Sequence, residues 1–145
     1  MDWRKNLIQD EAGVREVVRR SRRIAVLGMK PESRSSQPAF YVPSYLAHIG
    51  LDVVPVPVYY PGVTEILGLK VYRKVSDVPG EIDLVEVFRR PKDIDQHVDD
   101  IIAKKPRAVW FQSGIVNHPA AERLARAGIQ VVQDRCLMVE HRRIH

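Results

Sequence analysis

Five short runs rich in valine, leucine and isoleucine recur along the chain, at Ile24–Leu27, Asp52–Val58, Leu84–Phe88, Ala108–Phe111 and Ile129–Val132. Strands covered on both faces need no polar alternation, so near-continuous apolar runs of this length read as buried parallel strands. Between them lie segments with apolar residues at helical spacing. Val14, Val17 and Val18 mark a helix over residues 10–20, and Phe40, Tyr41, Tyr45, Leu46 and Ile49 mark one that ends at Gly50. Ile94, Val98, Ile101 and Ile102 mark a third over Asp93–Lys104, and Pro119 opens a fourth through Ala127, closed by Gly128. Residues 136–141 suit a short final helix.

This alternation predicts an α/β fold: a single doubly wound, Rossmann-like domain over residues 1–145, with a five-stranded parallel sheet and helices on both faces. Residues 1–22 supply an N-terminal helix packed on the sheet. Right-handed crossovers suggest the strand order 3-2-1-4-5. Pro43 predicts that the second helix starts near it or bends there. Pro55 and Pro57 predict that sheet hydrogen bonding does not continue far past Val54. Thr64–Leu67 reads as a helical turn, Lys70–Tyr72 as a brief strand or loop, and Ser76 as the cap of a single-turn helix.

A chain of 145 residues buries about 70% of its unfolded surface. No apolar run approaches the ~20 residues that span a bilayer, and no signal-peptide core follows Met1, so a cytoplasmic, non-membrane protein is expected. The single cysteine, Cys136, excludes an internal disulfide framework and suits a reducing compartment. A net charge of +5 favours an anionic partner. Nucleic acid is not the expected one, because zinc-finger spacing and RNA-binding aromatic motifs are missing.

In such a sheet the ligand sits beyond the carboxyl ends of the strands, at the switch point expected between strands 1 and 4. Four segments reach that edge: Gly28–Ser36, Pro55–Val58, Phe88–Arg90 and Gln112–Ile115. Gly28 permits a tight turn and close backbone approach. Lys30 and Arg34 offer charge, and Ser33, Ser35 and Ser36 offer hydroxyls, to an anion such as phosphate. An ordinary solvated loop is the plainer alternative. A dinucleotide fits poorly, because the loop after strand 1 has one glycine rather than three. Strand 2 also ends in Pro55-Val56-Pro57 where an acidic residue would hold a ribose. Lys30 is not in a P-loop frame, and FMN binding by a hydroxyl-rich loop stays open.

A more specific pattern extends from residue 24 to the C-terminus. It comprises Ile24-Ala25-Val26-Leu27-Gly28, Tyr41-Val42-Pro43, Val54-Pro55-Val56, Ile66-Leu67-Gly68, Asp83–Arg89, Val109–Ile115 and Asp134–His141. In order and spacing these segments resemble the small stand-alone CoA-binding proteins, related to the CoA-binding domain of the succinyl-CoA synthetase α subunit. The resemblance implies coenzyme A, or an acyl-CoA, at the strand ends. By it, the loop containing Gly28, Met29, Lys30, Ser33, Arg34 and Ser35 meets the phosphates. Pro55, Val56 and Phe88 lie along the adenosine, and Gln112, Ser113, Gly114 and Ile115 line the pantetheine side. Lys30, Arg34 and Arg89 are the cations placed to answer the phosphates. The family usually reads Val-Asn-Pro after strand 2, whereas this chain has Val56-Pro57-Val58, so a side-chain hydrogen bond is missing there.

No catalytic constellation and no metal-ligand spacing emerges. Cys136 reads as a small buried hydrophobe, with a CoA mixed disulfide or redox sensing as the sharper alternative. His118 reads as a surface or cap residue, and His141 and His145 as an exposed tail without a third metal ligand. Glu86, inside an apolar strand, calls for an ion pair with Arg89 or Arg135. The expectation is a non-catalytic CoA binder, with a protein partner conceivable. The alternatives are a non-catalytic subunit or remnant of an acyl-CoA synthetase or ligase, and an NAD- or FAD-responsive regulator.

Overall fold

The computed structural model describes residues 2–144. Seven strands form, β1 (Arg23–Leu27), β2 (Asp52–Val56), β3 (Glu65–Ile66), β4 (Leu69–Lys70), β5 (Leu84–Val87), β6 (Ala108–Phe111) and β7 (Gln130–Val132). Five helices accompany them, α1 (Glu11–Arg20), α2 (Pro38–His48), α3 (Asp95–Lys104), α4 (His118–Arg126) and α5 (Leu137–Ile144). Five strands make one parallel sheet and β3 pairs with β4 in a separate hairpin. The α/β class, the parallel sheet and the helices on both faces agree with the sequence. No helix among the described residues is long and apolar enough to cross a membrane.

Side chains alternate between two apolar layers. Leu27, Val56, Val87 and Phe111 pack with Ile94, with Val98 and Ile101 of α3 and with Leu124 of α4. On the other face Ile24, Val26, Leu84 and Trp110 meet Val14 and Val18 of α1, Leu46 of α2 and Leu137 of α5. Each buried aliphatic side chain contributes roughly 1.5–3 kcal/mol, so the alternation fixes which helices lie on which face.

The strand order differs from the expected 3-2-1-4-5. It is β2-β1-β5-β6-β7, which is 2-1-3-4-5 when only the sheet strands are counted. Proline supplies the reason. Pro55 lies within β2, opposite Val26, and has no N–H to give to a second neighbour, so β2 belongs at an edge. The expected order would have put it inside the sheet. The bonding also runs past Val54: Gly28 N–H donates to the Val56 carbonyl at 2.9 Å. β5, buried along its whole length, takes the centre instead. The switch point therefore lies between β1 and β5 rather than between β1 and the fourth strand.

Three local expectations also change. Thr64–Leu67 is not helical. Leu67 (φ 56°) and Gly68 (φ 71°) form the two-residue turn of the β3–β4 hairpin, and Ile66 anchors it in the core. Ser76 does not cap a helix; it lies inside a 3-10 turn, Val75–Asp77, where its hydroxyl and the Val75 N–H both bind Asp100 of α3. Finally, α2 starts at Pro38, one turn ahead of Pro43, which sits within it. Pro43 cannot donate to the Ala39 carbonyl, and the Lys30 N–H occupies that carbonyl instead, at 3.2 Å.

Candidate functional site

A cleft of about 640 Å³ opens at the carboxyl ends of β1, β5 and β6. Its walls are Lys30, the first turn of α2 with Tyr41 and Val42, Phe88–Pro91, Gln112–Ile115, and Cys136, Met138 and Val139 at the start of α5. Such a position follows from the topology, since the chain leaves β1 and β5 toward opposite faces and parts there.

Arg89 is the central cation. It is only 8% exposed and lines the cleft, yet among the described residues it has no carboxylate partner. Its Nε donates to His97 Nε2 at 3.2 Å, and its guanidinium carbon lies 5.3 Å from the centre of the Tyr59 ring. Burial, and then the Arg89 charge, hold His97 below the ordinary histidine range, which keeps Nε2 available as an acceptor. The same guanidinium holds the Tyr59 hydroxyl below the usual tyrosine value. Lys30 is fixed twice, by its N–H on Ala39 and by its ammonium on the Gln37 side chain.

The opposite wall is tied together by backbone groups. Gly114 N–H donates to Asp134 at 2.7 Å, and Leu137 N–H donates to Gln112 Oε1 at 2.9 Å. That second bond fixes which end of the Gln112 amide is oxygen. The residue is 4% exposed and its Nε2 has no partner among the described residues. Trp110 Nε1 donates to the Arg135 carbonyl, closing the β6 end against the segment before α5.

Of the residues singled out in the sequence, Lys30, Phe88, Arg89, Gln112, Ser113, Gly114 and Ile115 come together in the cleft wall. Gly28 and Met29 do not; with Lys30 and Tyr59 they border an adjoining cavity of about 40 Å³. Gly28 (φ +87°) serves close packing, because a Cβ there would lie 2.3 Å from the Phe88 carbonyl oxygen. Ser33, Arg34 and Ser35 are exposed around the 3-10 turn Glu32–Arg34, outside the cleft. Pro55 and Val56 are buried in β2, away from it.

Sequence reasoning missed Gln37–Ala39, Tyr41, Val42, Pro91, Met138 and Val139 as lining residues; Arg90 fell in the Phe88–Arg90 segment set at the ligand edge, and Cys136 read first as a buried hydrophobe. Pro38 at the first position of α2 was the available signal for the first group.

Glu86 corrects another expectation. It forms no ion pair among the described residues: neither carboxylate oxygen has a hydrogen-bond partner, and the side chain is 0% exposed. Its backbone stands between Val26 and Trp110. Arg89 is engaged with His97, and Arg135 with Glu11 and Glu140. Burial alone pushes the Glu86 carboxyl up to about 8. His118 is exposed at the start of α4, His145 lies outside the described residues, and no group of three His, Cys, Asp or Glu suited to a metal ion occurs among those described.

Comparison with known proteins agrees with this geometry. A family model described as "CoA binding domain" matches residues 22–142. YneT of Bacillus subtilis strain 168 is 30% identical over 131 residues, covering 90% of this chain and 93% of YneT. A Thermus thermophilus structure matches with a TM-score of 0.84 at 37% identity, covering 94% of this chain and all of that one. A Pyrococcus horikoshii OT3 structure matches at 0.82 and 35% identity, covering 93% and 92%. With a switch-point cleft, a buried arginine in its wall and a family match over most of its length, the chain belongs to the CoA binding domain family.

Proposed function

We propose that this protein binds coenzyme A, free or as an acyl thioester, in the β1–β5 cleft, and that it has no catalytic activity of its own. The observation that carries the reading is Arg89. A buried guanidinium with no carboxylate in ion-pair contact is unfavourable, and an anion in the cleft supplies that contact. Lys30 adds a second cation, and the first turn of α2 turns the positive end of its dipole toward the same space. These groups suit the phosphates of CoA. The Gln112–Ile115 loop, Val42 and Met138 offer a less charged path for the pantetheine arm. The volume lies within the range of ligand clefts, roughly 300–1,000 Å³.

The reading as a binder rests on the same wall. Among the described residues, it holds no carboxylate and no histidine to pair as acid and base. Calorimetry with CoA, acetyl-CoA, NAD and FAD tests the proposal. Saturable binding of CoA or its thioester, with a rise in Tm, is the expected result. Binding of NAD or FAD in preference to CoA overturns it.

A further inference from the structure

We propose that Cys136 is the acceptor of a CoA mixed disulfide: the cleft seats a CoA-containing disulfide with its sulfurs against Cys136, and thiol–disulfide exchange then links the coenzyme to the chain. The inference rests on the reading of the cleft as a CoA site.

Three observations carry it. Cys136 is the only cysteine of the chain, is free and half-buried, and forms part of the cleft wall, so no intramolecular disulfide competes for it. Gln112, 96% buried, lines the same wall, and its Oε1 is fixed on the N–H of Leu137, the residue next to Cys136. Its Nε2 is left without a protein partner, as a donor for an amide carbonyl of the pantetheine arm.

The third observation is the order of groups along the sheet edge. Lys30 follows β1 and Arg89 follows β5; the uncharged Gln112–Ile115 loop follows β6, and the segment after β7 returns over that same β6 end, its Arg135 N–H on the Phe111 carbonyl and its Leu137 N–H on Gln112, which brings Cys136 there. A ligand with phosphates at the cations thus runs from the β1 and β5 ends to the β6 end, where the thiol lies, the same sequence of groups found along CoA.

The exchange balances without a further reagent. The Cys136 thiol loses its proton, and its sulfur attacks the CoA sulfur of the incoming disulfide. The Sγ–S bond forms as the original S–S bond breaks, and the departing thiolate takes up a proton. Cys136 is oxidised and the departing half is reduced. Binding makes the exchange effectively unimolecular, so it outpaces that of an unbound disulfide.

The test incubates the reduced protein with CoA disulfide or with glutathione disulfide at equal concentration and follows intact mass. Desulfo-CoA, which lacks the thiol, serves as competitor and, by calorimetry, as a non-reactive probe of binding. CoA disulfide is expected to label at least tenfold faster, with a rate that saturates and is suppressed by desulfo-CoA; Cys136→Ser takes no label. Equal labelling by both disulfides while desulfo-CoA binds overturns the exchange and leaves the CoA site standing. Failure of desulfo-CoA to bind overturns the CoA site, and the exchange with it.

Discussion

Glu86 makes the pH dependence of stability predictable. Its carboxyl titrates near 8 in the folded protein, against an ordinary value of 4.5, with burial as the cause. The folded state therefore holds a proton that the unfolded state has released between these two values. Stability falls as pH rises through that window, with a slope of about 1.4 kcal/mol per pH unit. The contribution is complete below pH 4.5 and lower by about 3 kcal/mol at pH 7 and by about 4 kcal/mol at pH 8, and the fall levels off above pH 8, where both states ionise. Glu86→Gln keeps the shape of the side chain and removes the proton. Urea unfolding of the protein and the variant at pH 5, 6, 7 and 8 reads the difference, in which all other titrating groups cancel. The gap should change by about 1.4 kcal/mol per pH unit in favour of the variant as pH rises. Parallel curves would falsify the account, showing that Glu86 is solvated or paired.

Three further predictions concern the cleft. Arg89→Ala should weaken CoA binding roughly ten- to hundredfold, the loss of a charged hydrogen bond, whereas Arg34→Ala, on its exposed turn, should change it less than about twofold; calorimetry on both variants checks this, and the opposite ranking would move the phosphates to the Glu32–Arg34 turn. Gly28→Val places Cβ against the Phe88 carbonyl at a left-handed backbone position, so it should cost roughly 2–5 kcal/mol of stability in a urea titration. A wild-type midpoint there would return Gly28 to a purely ligand-facing role. Pro43→Ala gives residue 43 an N–H that competes with Lys30 for the Ala39 carbonyl, so the Lys30 amide should exchange its hydrogen faster; unchanged protection would mean that another contact holds the loop.

The elements were legible where one local pattern decided them. The apolar runs marked every sheet strand, and Val14, Val17 and Val18 marked α1, because burial on one face imposes the helical period. Strand order is a tertiary property, and only Pro55 hinted at it: a strand that cannot donate at its centre belongs at the edge. The β3–β4 turn was hidden because Ile66-Leu67-Gly68-Leu69 is too short to show any period. Lys30, Arg89 and Gln112 could be placed at the cleft because each follows a strand end directly. Cys136 and Met138 could not, since their position depends on the segment after β7 returning across the β6 end, through Trp110 and Gln112. Pro55 and Val56 lie outside the cleft wall for the converse reason, at a strand end on the far side of the switch point.

Arg89 is held differently from the two other arginines that are largely covered, Arg23 and Arg135. Arg23 and Arg135 end on carboxylates, Asp52 for the first and Glu11 and Glu140 for the second, so their charges serve the fold. Arg89 is held instead by an imidazole that burial keeps neutral. A neutral acceptor orients a guanidinium without cancelling its field. A carboxylate in the same place would fix the side chain equally well, but an incoming phosphate would then have to displace it or share the charge. Protonation of His97 would remove the acceptor and set two cations side by side, so the neutral form and the orientation of Arg89 support each other. Orientation and charge are thereby separated: His97 supplies the first, and the second is left for the anion proposed to bind in the cleft.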